Sequence, residues 1–292
     1  MLPNFFCVGA QKSATTSLHY YLSNHPDIYL PKQKETKFFV DESEFNKGIN
    51  YYIAEYFSSW GTEKAVGEID PDYMYFPEAL KRINDNLDTK NIKIIFVLRN
   101  PIDRAFSHYL MTYRRGYESL SFDEAVRQEE SRIKKSYFSN FHQSYVARGF
   151  YLKQIEKILE YIDSENMLFL LMEDIQNEPL KSVKTVFQFL EIDDQYIPEN
   201  IGNQFHAGKV PVNLTYIDII KRPSAIKGLF KILFPFPKLR RLIKDSLLSL
   251  NEKEIPRDMV INDSVRKYLL DLYIAENKRL SKVIDRDLSH WT

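Results

Sequence analysis

Four short apolar runs, spaced too far apart to pair as hairpins, are the feature that most restricts how this chain can fold. Between them, apolar residues recur at steps of three and four, which is the period of amphipathic helices. Strands that alternate with helices predict an α/β fold, with a central parallel sheet flanked by helices on both faces. The predicted strands are 5–8, 65–69, 92–98 and 167–172, and the predicted helices are 15–23, 78–84, 102–114, 152–162 and 264–283.

Composition limits the classes of partner and compartment. The 292 residues carry 40 basic and 40 acidic side chains, so no overall positive field favours nucleic acid. The single cysteine, Cys7, cannot form a disulfide within the chain, which indicates a reducing compartment. No run reaches the roughly 18 apolar residues of a membrane span. The apolar start at 5–8 is also shorter than the core of a signal peptide, which takes about 7–15 residues. We therefore expect a cytoplasmic protein.

The region from about 206 to 262 departs from the alternation of strands and helices. Within it, residues 221–244 hold eight lysine or arginine side chains and no acidic one. Such a basic, aromatic-rich segment suits a mobile lid, a contact with an anionic membrane or a platform for an acidic glycan. It equally suits an amphipathic helical pair packed on the sheet. We expect a single domain, 1–292, with a mostly helical basic insertion at about 206–262.

The segment after the first predicted strand has the chemistry of a phosphate-binding loop. Gly9 would let the backbone approach a ligand closely, and Lys12 adds a compact positive charge. Hydroxyl residues open the next helix, whose free N–H groups point at an anion. The structural alternative is an ordinary strand-to-helix turn with a capping hydroxyl. Only two residues separate Gly9 from Lys12, so this is not the nucleotide-hydrolysing loop G-x-x-x-x-G-K-[ST].

Two further stretches place charged residues at the carboxyl ends of predicted strands, where open α/β sheets bind ligands. Arg99 follows the third strand, and Ser107 lies two turns along the helix that Asn100 would cap and Pro101 would open. Arginine suits a phosphate because its planar fork donates two hydrogen bonds at once. Glu68 lies near the end of the second strand and, on spacing alone, would be a solvated carboxylate.

Together these stretches resemble the sulfotransferase family, in its bacterial and heparan-type branch. Residues 9–18 are similar to its 5′-phosphosulfate loop, G-x-x-K-[ST]-G-T-T-x-L, with Ala14 in place of a glycine. Residues 94–109 resemble its 3′-phosphate motif, and residues 66–73 its E-x-[TS]-P-x-Y stretch, with Asp70 in place of a hydroxyl residue. The resemblance covers nearly the whole chain, continuing through 22–39, 148–151, 173–174 and 286–291. It implies the P-loop-NTPase-like sulfotransferase fold.

The resemblance implies an enzyme that moves a sulfuryl group from 3′-phosphoadenosine 5′-phosphosulfate (PAPS) to a hydroxyl or amine of a glycan, lipid or small alcohol. The product would be 3′-phosphoadenosine 5′-phosphate (PAP), and no metal is implied. Glu68 would be the catalytic base of an in-line displacement, and Lys12 would stabilise the leaving oxygen. The implied cofactor contacts are Gly9, Gln11, Lys12, Ser13, Ala14, Thr15, Thr16, Arg99 and Ser107. The residues at acceptor-contacting positions are Lys34, Glu35, Lys37 and Tyr73.

Two other functions stay open from the sequence. A nucleoside or small-molecule kinase would use a diverged phosphate loop on the same strand–loop–helix scaffold and would bind nucleotide with magnesium. A catalytically inactive module that binds an anionic membrane or an acidic glycan would retain only the nucleotide fold. The incomplete loop and the lack of a clear metal-binding aspartate argue against the kinase. The joint presence of Lys12, Glu68, Arg99 and Ser107 argues for an intact site.

Overall fold

The structure is a computed structural model that describes residues 2–87, 89–203, 209–211, 252–254 and 260–291. The chain divides into two compact units. The first comprises Met1–Arg104, Ala147–Phe205 and Leu269–Thr292, and the second comprises Ala105–Val146 and His206–Tyr268. The basic segment 221–244, and most of the insertion expected at about 206–262, lie outside the described residues.

A five-stranded parallel sheet forms the centre of the first unit. Its strands are β1 (Phe5–Gly9), β2 (Ile28–Tyr29), β3 (Ala65–Ile69), β4 (Lys93–Leu98) and β5 (Met167–Leu171). They lie side by side in the order β2-β3-β1-β4-β5, and every neighbouring pair is parallel. Because β3, β1 and β4 are parallel, the loops that follow them leave the sheet at the same edge. These loops are neighbours because β1 lies between β3 and β4.

Helices connect the strands, as the periodicity predicts. In chain order they are α1 (Thr15–Leu22), α2 (Glu42–Phe45), α3 (Ile49–Tyr56), α4 (Pro77–Asn86), α5 (Pro101–Arg114), α6 (Phe122–Ile133), α7 (Tyr137–His142), α8 (Tyr151–Ile158), α9 (Met172–Asn177), α10 (Pro179–Phe189) and α11 (Asp263–Val283), with 3₁₀ turns at Thr89–Asn91, Ala147–Gly149 and Ser164–Asn166. α5 begins as expected: Pro101 opens it, and the side-chain oxygen of Asn100 accepts from the backbone N–H of Ile102 at 2.9 Å.

The first unit has an apolar core on the sheet. All residues of β1 and β3 are buried, which is typical of strands covered on both faces. One cluster joins strand residues to the inner faces of α1 and α10. Its strand members include Cys7, Ile95 and Val97, and its helix members include Leu18 and Phe187. This packing fixes the start of α1, and with it the loop between β1 and α1.

The second unit contains most of α5 together with α6 and α7, and an antiparallel ribbon of β6 (Lys209–Pro211) and β7 (Glu252–Glu254). α6 starts with a capping box between Ser121 and Glu124, which satisfies free N–H groups of its first turn. Inside this unit, the buried carboxylate of Glu118 accepts from Arg132 at 2.8 Å and from the Tyr145 hydroxyl at 2.9 Å.

The amphipathic spacing of 264–283 predicts a buried face on α11 that needs a correction. The predicted face consists of Val265, Leu269, Leu272, Tyr273, Leu280 and Val283. Four of its expected residues are buried: Val265, Leu269, Tyr273 and Leu280. Leu272 and Val283, also expected inside, are 37% and 48% exposed. The buried stripe continues from position 280 to Ile284, so Leu272 and Val283 each lie one residue, about 100°, away from it.

Candidate functional site

The loop between β1 and α1 has an unusual backbone. Lys12 and Ala14 have φ angles of 73° and 62°, so two residues with a Cβ adopt the left-handed region. Ala14 is the N-cap of α1, and its methyl group cannot cap the first N–H groups of the helix. Gly9 is required by close packing, because a Cβ there would lie 2.7 Å from the sulfur of Met74. The loop thus presents backbone donors at the start of a helix, as anion sites do.

Two side chains of this loop carry buried oxygen atoms without a hydrogen-bond partner in the described part of the chain. They are Ser13 Oγ and Gln11 Oε1. Leaving such an atom unsatisfied costs about 1–3 kcal/mol, so a ligand that supplies the missing bond would stabilise this loop. The hydroxyl of Ser13 can donate to a phosphate oxygen, whereas Gln11 Oε1 can only accept and needs an N–H or O–H of the ligand. Thr15 is buried in the next turn, and Lys12 and Thr16 are half-buried. These residues fit a phosphate-bearing group.

Arg99 reaches the same loop from the end of β4. Its Nη1 donates to the backbone oxygen of Lys12 at 3.2 Å, which joins two motifs that lie 87 residues apart. The backbone oxygen of Arg99 accepts from the hydroxyl of Tyr151 at 2.9 Å, which fixes the strand end. Ser107, the other residue predicted for the 3′-phosphate, is half-buried on α5 and belongs to the second unit.

Glu68 is buried in β3 and accepts four hydrogen bonds. Oε1 accepts from the backbone N–H and the hydroxyl of Thr36, at 2.9 and 2.6 Å. Oε2 accepts from the hydroxyls of Tyr52 and Tyr73, at 2.7 and 3.1 Å. Burial raises the pKa of Glu68, while these bonds oppose the rise because they favour the charged form. A carboxylate has about four lone-pair positions, so here none is left for an acceptor molecule.

Tyr73 lies in the same buried layer. Its ring centroid is 6.3 Å from that of Phe6 and 5.7 Å from that of Phe39, and its side chain is fully buried. Contact with an acceptor would therefore require the ring to leave this cluster. The sequence does not predict Thr36 and Tyr52 as partners of Glu68. Thr36 lies inside the resembling stretch 22–39, but no sequence pattern marks Tyr52.

The segment 34–37 carries three charged side chains that remain partly accessible. Lys34, Glu35 and Lys37 have exposed side-chain fractions of 17%, 34% and 26%. Lys34 Nζ donates to Glu35 Oε1, and Lys37 Nζ donates to Glu35 Oε2 at 3.2 Å. Burial raises the pKa of Glu35, but the charges of Lys37 and Lys34 outweigh it and hold the pKa below its usual value. Glu35 is thus an ionised carboxylate that solvent can reach.

This segment lies beside α1, the helix that begins at the phosphate loop. His19, in the turn of α1 after Thr16, is close enough to respond to the charges of Lys34 and Glu35. Burial, and secondly the charge of Lys34, lower the pKa of His19 to about 4. Its imidazole is therefore neutral at neutral pH, and it adds no positive charge next to Lys34.

A largely buried cluster of charges joins the end of β3 to segment 34–37. Lys37 Nζ donates to Asp70 Oδ1 at 2.8 Å and to Asp72 Oδ2 at 2.5 Å. Arg148 Nη1 donates to Asp72 Oδ1 at 2.5 Å. Burial raises the pKa of Asp70 to about 7, although Lys37 opposes the rise. At Asp72 the charges of Lys37 and Arg148 outweigh burial and hold the pKa well below its usual range.

Two absences within the described residues concern metals and membranes. Among these residues, no group of His, Cys, Asp and Glu side chains is arranged to hold a metal ion. Over the same part of the chain, no helix combines the length and the apolar character needed to cross a bilayer.

The chain belongs to the sulfotransferase family, because the family model for the sulfotransferase domain matches residues 2–206. It is 33% identical over 164 residues to the membrane-associated sulfotransferase kil1 of Dictyostelium discoideum, a match that covers 53% of this chain and 34% of that protein. It is 27% identical over 204 residues to the bifunctional heparan sulfate N-deacetylase/N-sulfotransferase 4 of Mus musculus, covering 67% of this chain and 23% of that protein. This chain therefore spans about a third or less of the length of these curated relatives.

A solved structure supports the same assignment. The crystal structure of a sulfotransferase from Alicyclobacillus acidocaldarius matches with a TM-score of 0.71 and 27% identity, over 100% of this chain and 99% of that chain. The family and the α/β fold predicted from the sequence are confirmed.

Proposed function

We propose that this chain transfers a sulfuryl group from PAPS to a hydroxyl or amine and releases PAP. The observation that carries the proposal is the phosphate loop, where the buried Ser13 Oγ lacks a partner within the described residues and can donate to a phosphate oxygen. Beside it, Arg99 contacts the backbone of Lys12. PAPS has a phosphosulfate at its 5′ end and a phosphate on its ribose, so cationic groups at neighbouring strand ends suit it.

Positioning and fixed positive charge carry most of the catalysis in such a transfer. Lys12 stabilises the negative charge that develops on the oxygen between phosphorus and sulfur as the S–O bond breaks. The 5′ end of the donor is assigned to Gly9, Gln11, Lys12, Ser13, Ala14, Thr15 and Thr16. Arg99 is assigned to the 3′-phosphate, and Ser107 is assigned to it on the motif alone.

The acceptor loses a proton as its new bond to sulfur forms, so a base has to reach it. Glu68 is the base that the motif predicts, but in this arrangement it would have to release Thr36 and both tyrosines first. Glu35 is ionised, one third exposed and next to Thr36 in the chain. We therefore assign the proton to a carboxylate oxygen of Glu35, and assign to Glu68 the task of holding Thr36.

The acceptor itself is proposed at the level of chemical class. Lys34 and Lys37 flank Glu35 and are proposed acceptor contacts, whereas Tyr73 is one on the motif alone. The Mus musculus relative is named as a heparan sulfate N-sulfotransferase, which makes a glycan with free amines the first acceptor to try. A cytoplasmic location, and a single domain over 1–292, remain predictions of the sequence.

Donor binding is tested by calorimetric titration with PAP, with adenosine 5′-phosphate and magnesium-ATP as controls. We expect metal-independent binding that needs the 3′-phosphate, and weaker binding in Lys12→Ala. Lys47→Ala is the matched control, because Lys47 pairs with Glu44 on the surface. Preference for magnesium-ATP would favour the kinase, and no binding at all would refute the proposal.

The base is tested by comparing Glu35→Gln with Glu68→Gln in a sulfuryl-transfer assay. Removing a general base lowers kcat by about 10²- to 10⁴-fold, and we expect this loss in Glu35→Gln without loss of stability. A Glu35→Gln variant with wild-type kcat, beside a folded but inactive Glu68→Gln, would return the role of base to Glu68.

A further inference from the structure

Asp72 connects three segments that are far apart in the sequence, although it is only 1% exposed. Its Oδ2 accepts from Lys37 Nζ at 2.5 Å. Its Oδ1 accepts from Arg148 Nη1 at 2.5 Å and from Gln11 Nε2, in the phosphate loop, at 3.4 Å. Lys37 also donates to Glu35. We call the path Gln11–Asp72–Lys37–Glu35 the Asp72 bridge.

Arg148 keeps the carboxylate of Asp72 in place. The guanidinium of Arg148 lies over the ring of Tyr75 at 4.5 Å and near that of Phe76 at 5.3 Å, and the residue is 2% exposed. Breaking an ion pair with both partners buried leaves a charge without compensation, which is strongly unfavourable. The backbone N–H of Asp72 also donates to Asp70 Oδ1 at 3.1 Å. Asp72 is therefore a fixed point in the first unit.

Segment 34–37, in contrast, needs contacts to hold its conformation. Glu35 and Lys37 both have a φ of 61°, in the left-handed region, which costs a residue with a Cβ about 1–2 kcal/mol. The contacts that offset this cost come from β3 and the residues after it. Thr36 bonds to Glu68, and the backbone N–H and the ammonium of Lys37 bond to Asp70. The ion pair to Asp72 is the contact that leads onward to the phosphate loop.

We propose that Asp72 is a positioning residue for sulfuryl transfer: it holds Lys37, and through Lys37 it holds Glu35 at a fixed place relative to the phosphate loop. The inference rests on the proposed function, in which Glu35 receives the proton of the acceptor. Three charged groups act on the charge of Glu35: Lys37 and Lys34 from its own segment, and Asp72. His19 of α1 lies near them but is neutral at neutral pH. The two lysines lower the pKa of Glu35, and Asp72 partly restores it, so Asp72 also makes Glu35 a better proton acceptor.

Loss of the charge at Asp72 is expected to misplace Glu35 while leaving donor binding nearly intact. A misplacement on the order of 1 Å costs on the order of 10²-fold in rate, so we expect Asp72→Asn to lower kcat by about 10- to 100-fold. The contact of Gln11 with Asp72 is long, at 3.4 Å. We therefore expect the Kd for PAP to change by less than about threefold, since so long a hydrogen bond is weak.

The deciding experiment is a double-mutant cycle in kcat with Glu35→Gln. If Asp72 acts through Glu35, Asp72→Asn lowers kcat in the wild-type background and has no further effect in the Glu35→Gln background. A merely structural role lowers kcat by the same factor in both backgrounds. Asp27→Asn is the matched control, because it removes the charge of an aspartate that pairs with a lysine, Lys64, on the surface. It should leave kcat unchanged in both backgrounds.

Equal losses in the two backgrounds, or an unchanged kcat in Asp72→Asn, would overturn the inference. If Asp72→Asn does not fold, Lys37→Met cuts the same bridge while Asp72 keeps Arg148, and the same cycle with Glu35→Gln decides. Failure of the proposed function is distinguished from failure of this inference by measurements on the wild type alone. If the proposed function is wrong, the wild-type chain binds no PAP and transfers no sulfuryl group.

Discussion

Replacing Glu68 by glutamine should destabilise the fold, because the two oxygens of this buried carboxylate accept from four donors. Glutamine has one oxygen and one NH₂ group. The backbone N–H of Thr36 can only donate, so the amide oxygen has to face Thr36. The NH₂ group then faces the hydroxyls of Tyr52 and Tyr73, which must turn round to accept from it. The substitution keeps the shape of the side chain and changes only its hydrogen-bonding capacity.

The loss in free energy of unfolding depends on whether the hydroxyls of Tyr52 and Tyr73 find other hydrogen-bond acceptors. Tyr73 can donate to Thr36 Oγ1, which is 3.4 Å away. Among the described residues, Tyr52 has no second acceptor in place of Glu68, so its hydrogen becomes a buried unsatisfied donor. Such a donor costs about 1–3 kcal/mol, and the loss of a bond to a charged group costs about 1.5–3 kcal/mol. Relief from burying the charge offsets part of this sum, and we expect a net loss of about 2–4 kcal/mol.

The stability difference between the wild type and Glu68→Gln should change with pH in one direction. The pKa of Glu68 is raised in the folded state, mainly by burial. A raised carboxyl pKa contributes stability below the pKa of the unfolded chain and loses it as the pH rises through the folded pKa. Glutamine does not titrate, so the stability cost of Glu68→Gln should be larger near pH 4 than near pH 7.

Urea unfolding followed by tryptophan fluorescence measures the free energy of unfolding. Glu44→Gln is the control, because Glu44 pairs with Lys47 on the surface, and we expect a change within about 0.5 kcal/mol. A free energy of unfolding for Glu68→Gln within about 0.5 kcal/mol of the wild type would refute the reasoning. It would mean that the carboxylate is not held by these donors.

Three further outcomes are expected. Arg99→Ala should raise the Kd for PAP by about 10- to 100-fold in calorimetric titration, because a charged hydrogen bond is worth about 1.5–3 kcal/mol; an unchanged Kd would remove Arg99 from the site. Ala14→Gly should raise the free energy of unfolding by about 0.5–1 kcal/mol, because glycine adopts a φ of 62° without the cost to alanine, though its freer unfolded chain cancels part of the gain. A less stable glycine variant would contradict this. Burial raises the pKa of Asp70 to about 7, so the wild type should lose stability relative to Asp70→Asn between about pH 4 and pH 7. A stability difference that does not change with pH, measured by urea unfolding, would count against it.

The sequence could predict the fold because apolar runs and regular apolar spacing indicate which residues of a strand or helix are buried. β1 and β5 are continuous apolar runs, β4 is one after Lys93, and β3 is a short run interrupted by Gly67 and Glu68. The sequence predicts each of them to within a residue or so at either end. The sequence does not predict β2, because its two residues, Ile28 and Tyr29, are too few to show a period. It is a strand only because it pairs with β3 at the edge of the sheet, a long-range contact that no local pattern records.

The candidate site also contains residues that the sequence predicts and residues that it does not. Lys12 and Arg99 follow apolar strands, so the parallel topology alone brings them to one edge of the sheet. The surroundings of Glu68 could not be inferred, because in a strand buried on both faces the pattern does not tell which face holds polar partners. Those partners, Thr36 and Tyr52, come from a loop and from α3, whose places depend on tertiary packing.

The contacts of β3 and the residues after it bear on how any inactive variant should be interpreted. Glu68 holds Thr36, and Asp70 and Asp72 hold Lys37. Glu35 precedes these two held residues in the chain, so a substitution at any of the three carboxylates moves it indirectly. Loss of activity in Glu68→Gln alone therefore cannot identify the base. A base is identified by a fall in kcat at unchanged stability, whereas an anchor loses both together, so the two quantities have to be measured in the same variant.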